Sequence, residues 1–367
     1  MNQKYWIICF LLFLFGVGTS TGHAQSSWKW IDVLKEGSIN GRIDRRSTAH
    51  FQRLPEELKN AVRKPVWELS TNSAGLYINF KTTATAIQIR YGVAGTLQFP
   101  HMPAVGVSGI DLYAQDSQTN DWFWASGKYS FKDTVTYVYG GLDSNSTKNY
   151  QLYLPLYNTV TWMEIGIPDS VSLDFVSETA KPIIVYGTSI AQGACASRPG
   201  MAWTNILHRE IGVPVVNLGF SGNGRLEKPI LDLIATTPAK AIVLDCLPNL
   251  GVTATRSEQQ LDSLIYHAVL GIRKKQPTTP IILTEHSSGL DEHILNTDNN
   301  RNFQRPTMVL RQTFARLKQE GVAHIYLLTN QEIGLDINST VDYVHPNDWG
   351  MLKIAKAYTR LLKDIGQ

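Results

Sequence analysis

The chain has 367 residues, enough for two domains with separate hydrophobic cores. Its formal charge is +3, and +2 without the single lysine, Lys4, of its first 24 residues. A balance this close to neutral gives no electrostatic basis for a nucleic-acid partner or for adhesion to an anionic membrane surface.

Residues 1–24 read as a secretory leader: Lys4, an apolar stretch from Tyr5 to Val17, then small residues ending at Ala24. That stretch is short for a membrane-spanning helix, and no later segment is apolar enough to cross a bilayer. Cys9 lies inside the apolar part rather than at a cleavage site, so no lipoprotein anchor is expected. The expectation is cleavage after Ala24 and a soluble protein in the periplasm or outside the cell.

Residues 25–178 carry short runs of period two. In "GLYINF", Leu76, Ile78 and Phe80 share one face and Tyr77 and Asn79 the other; "AIQIRY", "TYVYG", "YQLYL" and "TWMEIGI" continue the rhythm. Turn signals at Gly140–Gly141 and Pro168–Ser170 separate the runs, which predicts an antiparallel, jelly-roll-like β-sandwich. Trp122 and Trp124 share one face of a predicted strand. They could stack on sugar rings, although filling or covering the sandwich is the simpler role.

After the polar joint "SETAKP" the period changes. Over residues 179–367 apolar runs of strand length ("PIIVYG", "PVVNLG", "KAIVLDC", "PIILTE", "AHIYLL") alternate with helical spacing. Leu226, Ile230, Leu233 and Ile234 form one such stretch, Leu261 to Ile272 another, and Met351 to Leu362 the last. Strand–helix alternation of this kind predicts a doubly wound five-stranded parallel sheet, whose ligands sit at the carboxyl ends of the strands.

At those ends lie Ser189 after the first strand, Gly222 in "NLGFSGNG", Asn249 in "DCLPNL", and Asp342 with His345 in "DYVHPND". A serine hydroxyl needs a base to become a nucleophile; His345 can serve, and Asp342 can orient its ring and stabilise the imidazolium. The N–H groups of Ser189 and Gly222 and the amide of Asn249 can supply oxyanion donors.

Those four blocks, in that order, resemble the SGNH (GDSL-like) hydrolases. The resemblance implies Ser189 as nucleophile, His345 as base, Asp342 as its orienting acid, and Gly222 and Asn249 as oxyanion donors. "SGIDLY" (Ser108 to Tyr113) is similar to the G-x-D-L-Y motif of an all-β module that precedes such hydrolases in bacterial polysaccharide-degradation systems. The sequence departs from the family pattern at Thr188, where an aspartate is usual, and at Pro248 before Asn249 with no aspartate following.

Arg198 and His286 are further candidates for touching substrate, although an arginine before Pro199 and Gly200 more often holds a loop in place. Glu285, His286, Asp291, Glu292 and His293 invite a metal reading, but their spacing matches no zinc pattern, and no metal or other cofactor is expected. Cys195 and Cys246 fall near the ends of strands expected to be neighbours, so a disulfide between them is possible. The implied activity is that of an exported serine esterase removing acyl groups, foremost acetyl, from carbohydrates through an acyl-enzyme. A lipase or thioesterase for small acyl chains, or an inactive carbohydrate-binding protein, are the alternatives.

Overall fold

The computed structural model describes residues 27–44, 50–287, 295 and 297–367; the leader and Asp291, Glu292 and His293 lie outside them. The first half supplies eleven antiparallel strands in two sheets. They are β1 (Trp28–Asp32), β2 (Ile39–Asn40), β3 (Tyr77–Thr82), β4 (Ala86–Val93), β5 (Asp111–Gln115) and β6 (Trp122–Ala125), then β7 (Lys128–Ser130), β8 (Val135–Gly140), β9 (Lys148–Tyr153), β10 (Val160–Pro168) and β11 (Leu173–Val176). One sheet runs β1-β10-β4-β8-β7; the other runs β11-β3-β9-β5-β6, with β2 added beside β3.

Alternation places Leu76, just before β3, and Ile78 and Phe80 of β3 between the sheets with Ile87, Ile89 and Tyr91 of β4. The opposite face of β3 is not all solvent-exposed. Tyr77 is fully buried in a small aromatic cluster with Tyr113 and Tyr153, on which Trp122 packs, against the second half of the chain. Trp122 and Trp124 therefore lie outside the sandwich core, and Trp124 is half exposed.

The second half forms the predicted parallel sheet from β12 (Ile183–Gly187), β13 (Val215–Gly219), β14 (Ala241–Asp245), β15 (Ile281–Thr284) and β16 (Ile325–Leu328). Every residue of β12 to β15 is buried, as strands covered by helices on both faces must be. The spatial order β13-β12-β14-β15-β16 reverses direction at β12. A crevice therefore opens between the carboxyl ends of β12 and β14, the topological switch point. Helices Lys228–Thr236, Glu258–Lys275 and Asp348–Asp364 match the predicted spacings. The 23-residue helix Thr297–Gln319 was not legible in the sequence, because it is strongly polar and carries Pro306 in its interior.

Packing crosses between the halves. Ile43, Leu54, Val62 and Val66 share a core with Tyr186, Val216 and Phe220 of the parallel-sheet half.

Candidate active site

Ser189 is the first residue after the β12–Thr188 exit, opening the short helix Ser189–Gln192, and only 7% of it is exposed. Thr188 stands where the family has aspartate, and its hydroxyl accepts the Ile190 N–H at 3.4 Å, capping this turn. Ser189 Oγ lies 2.9 Å from Nε2 of His345, and His345 Nδ1 lies 2.7 Å from Oδ2 of Asp342. A carboxylate can only accept, so Nδ1 carries the ring proton and the Nε2 lone pair faces the serine hydroxyl.

The Asp-x-x-His spacing works because the loop folds back on itself. Tyr343 adopts the left-handed region at φ 73°, and Asp342 Oδ1 accepts the N–H groups of Val344 (3.1 Å) and His345 (2.7 Å). Burial works to raise the Asp342 pKa, but the bonds from the His345 backbone and ring and from Val344 prevail and hold it below the ordinary value. The acid partner of the imidazole is thus kept ionised.

Two further blocks meet at the same rim. Gly222 has φ 68°, which a side chain would strain, and the space its Cβ would occupy is open. Asn249, in the 3₁₀ turn after β14, accepts the Gly224 N–H at 3.1 Å through Oδ1. Only the oxygen of an amide can accept that proton, so Nδ2 is the end left to donate. Gly224 itself is pressed onto the serine strand: a Cβ there would stand 2.1 Å from the Gly187 carbonyl oxygen. Serine, imidazole, carboxylate and amide thus come together at the switch point. Such a set can transfer a proton from the serine hydroxyl and stabilise charge on an oxygen bound beside it.

Several supports come from side chains that carried no sequence signal. The Gln192 side chain accepts the Ser221 N–H at 3.0 Å and donates to Asn72 Oδ1 and the Leu156 carbonyl, both at 3.2 Å. It joins the serine helix, the Gly222 loop and the β-sandwich. Arg53, only 2% exposed, donates to the Gly219 carbonyl at 2.6 Å, Asn217 at 3.2 Å, Leu69 at 2.6 Å and Asn72 at 3.0 Å. Burial pulls its pKa down to about 9. The Asp111 carboxylate accepts from Gly200 N–H (2.6 Å), Arg198 Nη1 (3.0 Å) and Trp124 Nε1 (3.0 Å), which gives the aspartate of "SGIDLY" a structural task.

That arrangement favours the loop-holding role of Arg198 over contact with substrate. Its Nη1 donates to Asp111 and to the Tyr113 hydroxyl and its guanidinium lies over the Trp124 ring, so it ties the loop after Ser189 to the β-sandwich. His286, which follows β15, is 3% exposed and stacked on Phe303 at 4.1 Å. Glu285 is held by Arg311 and by the Asn330 N–H. The disulfide is not formed. Cys195 Sγ points to the His101 carbonyl and Cys246 Sγ to the Tyr186 carbonyl. Cys246 sits in the core on one side of the parallel sheet, whereas Ala196, beside Cys195, packs in the core on the other. Burial, with Asp342 nearby, raises the Cys195 thiol to about 11, so it stays protonated and is no rival nucleophile.

Known proteins share both halves of this fold. Residues 180–363 match the model of the GDSL-like lipase/acylhydrolase family, and residues 28–173 match the GxDLY model, the N-terminus of SGNH-hydrolase-type esterases. A protein from Bacteroides ovatus described as a GDSL-like lipase shares 30% identity at a TM-score of 0.82, over 92% of this chain and 98% of that one. A salicylyl-acyltransferase from a tetracycline biosynthetic pathway shares the fold at 19% identity and TM-score 0.72, over 92% and 98%. So does a family two carbohydrate esterase from Cellvibrio japonicus, at 12% identity and TM-score 0.55 over the same shares. No curated protein is matched. On the family models and the Bacteroides ovatus match, the chain belongs to the GDSL-like (SGNH) lipase/acylhydrolase family, in the form with an N-terminal GxDLY domain.

Proposed function

We propose that the protein is an exported serine esterase that hydrolyses O-acyl esters, foremost O-acetyl, on carbohydrates. The observation that carries this reading is the Ser189–His345–Asp342 chain of bonds, 2.9 and 2.7 Å long, at the switch point of the sheet. Ser189 Oγ attacks the ester carbonyl as His345 Nε2 takes its proton. Asp342 holds the ring and stabilises the imidazolium. The tetrahedral oxyanion is met by the N–H groups of Ser189 and Gly222 and by Asn249 Nδ2. Collapse transfers the Nε2 proton to the departing sugar alkoxide and leaves an acyl-Ser189 ester. Water, deprotonated by the same nitrogen, then attacks this ester; the serine hydroxyl is restored and the carboxylic acid leaves. No step calls on a cofactor.

Carbohydrate as the substrate is supported by the fold shared with carbohydrate esterases, and export by the leader-like first 24 residues. The test is release of acetate from acetylated xylan or pectin, and of 4-nitrophenol from its acetate, by the wild type and by Ser189→Ala. Turnover by the wild type alone supports the serine mechanism, and faster turnover of the polysaccharide supports the sugar ester. A folded wild type that turns over none of these substrates refutes the reading.

A further inference from the structure

We infer that the GxDLY domain carries a second ligand site, a cleft for an uncharged sugar unit of a glycan, at the opposite end of the molecule's parallel sheet from Ser189. The cleft has a volume of about 310 Å³ and lies on the outer face of β3, β9, β5 and β6, closed on one side by His208 and Gly212. Helix Trp203–Ile211 runs back from the serine rim to this end and stops at Gly212, before β13. One five-residue strand separates the two rims, on the order of 15 Å.

The register of the strands builds the lining in two rungs. Asn79 stands opposite Gln151, while Asn149 stands opposite Gln115, which in turn pairs with Trp122. These five side chains all line the cleft. Gln151 is 2% exposed, and its Oε1 has no hydrogen-bond partner. Its Nε2 is used, donating to Asn79 Oδ1 at 3.2 Å and lying 3.5 Å from His208 Nε2. His208 continues the chain to the Tyr153 hydroxyl at 3.3 Å, which donates to the Asn205 carbonyl. Burial lowers the His208 pKa to about 3, so the floor is a neutral imidazole with one donor and one acceptor. If the Gln151 amide were turned over, its nitrogen would be the end left over instead. In either orientation a buried polar atom at the cleft lacks a partner. A buried polar atom left without a partner is unfavourable, and it marks this end of the cleft as the least settled part of the sheet face.

The chemistry of the lining selects the ligand. Asn79, whose Oδ1 is taken by Gln151, leaves Nδ2 as a donor on the lining, the kind of group that a sugar hydroxyl satisfies. Asn149 Nδ2 donates to Gln115 Oε1 at 3.3 Å, leaving Asn149 Oδ1 as a further acceptor. Trp122, half buried at the end of that rung, supplies an aromatic surface for the C–H face of a sugar ring. The charged residues on the lining are one lysine, Lys81, and one glutamate, Glu178, so the cleft has no net charge with which to draw an ionic ligand.

This site is independent of ester hydrolysis, and its test does not use turnover. Binding of xylohexaose, mannohexaose and cellohexaose to the full chain is measured by titration calorimetry, with a galacturonate hexamer as the anionic comparison. The expectation is saturable binding of at least one neutral oligomer, weakened tenfold or more by Trp122→Ala with an unchanged melting midpoint. Should Trp122→Ala fail to fold, the double variant Gln115→Ala/Asn149→Ala replaces it, with the same expectation. Binding of no neutral oligomer overturns the inference. Tighter binding of the galacturonate, or affinity unmoved by the variants, overturns it equally.

Discussion

Asp245 ends β14 directly opposite Gly187 of the serine strand, and it is 2% exposed. Its Oδ1 has no partner, and the Tyr358 hydroxyl, itself bonded to Thr284 at 2.7 Å, reaches the carboxyl. Burial raises its pKa to about 7. An unfolded aspartate titrates near ~3.9, so the folded state holds the proton more tightly. The stability this group contributes is therefore full below about pH 4 and is lost as pH rises to about 7. At 1.36 kcal/mol per pH unit the total is about 4 kcal/mol, of which about 2.5 kcal/mol falls between pH 5 and pH 8. Asp245→Asn keeps the shape and cannot ionise, so it removes this decline. Urea unfolding of both proteins at pH 5 and pH 8 checks it. The variant should gain about 2–3 kcal/mol on the wild type between the two pH values, whatever fixed cost the new amide carries. An equal difference in stability at both pH values would refute the reasoning.

Four further perturbations have expected outcomes. On the proposed mechanism, in which its amide donates to the oxyanion, Asn249→Ala should lower kcat by about 10²–10³ with little change in KM; steady-state kinetics on 4-nitrophenyl acetate measure it. Asp342→Asn should lower kcat on the order of 10⁴ by allowing the wrong imidazole tautomer. Because the Asp342 pKa is lowered in the fold, the stability it contributes is present above about pH 4 and lost as pH falls through the folded value. The melting midpoint of the asparagine variant should therefore fall less on acidification than that of the wild type. Asp111→Ala leaves the buried Gly200 N–H and Arg198 without their acceptor; a loss of about 3–5 kcal/mol is expected in denaturant unfolding. Residues 179–367 expressed alone should be insoluble or inactive, since removing Arg53 leaves the Gly219 carbonyl, which it bonds at 2.6 Å, without that donor; an active, monomeric fragment would contradict this.

What the sequence reveals and what it hides divide along the range of the interactions. β12, β13 and β14 are apolar runs with Ser189, Gly222 and Asn249 two to four positions beyond their ends, and the Asp342–His345 bond closes within four residues. Each is a local pattern, and their order along the chain was enough to bring them to one rim. Arg198 stayed open between substrate and loop because its partner, Asp111, lies 87 positions earlier, and nothing local marks an arginine as already engaged. Arg53 is harder still. A cation in a loop reads as surface, yet this one is buried against carbonyls 164 and 166 positions away. The disulfide expectation failed on a different point: neighbouring strand ends set where two cysteines are, but not which side of the sheet each sulfur faces.

These long-range contacts also explain why the two halves differ in architecture and yet serve one site. The segments that carry Ser189 and Gly222 are closed by short-range backbone bonds, such as Gln192 N–H to the Thr188 carbonyl at 3.0 Å and Asn223 N–H to the Phe220 carbonyl at 2.8 Å, and side chains from elsewhere tie them to the rest of the molecule. The Gly222 loop is held through Gln192, whose other bonds go to Asn72 and Leu156, and the end of β13 through Arg53. The loop after Ser189 is held on one side by Asp111 and on the other by Asp348, whose carboxylate takes the Ser197 N–H and hydroxyl. Asp348 opens the helix that follows His345, so the serine and histidine loops share an anchor. Oxyanion donors stabilise charge only if they are already in place when it forms. A five-stranded sheet can position strand ends, but the loops beyond them need contacts from outside the sheet. The sandwich supplies those contacts, and that places it among the determinants of the site's geometry rather than beside it as a separate module.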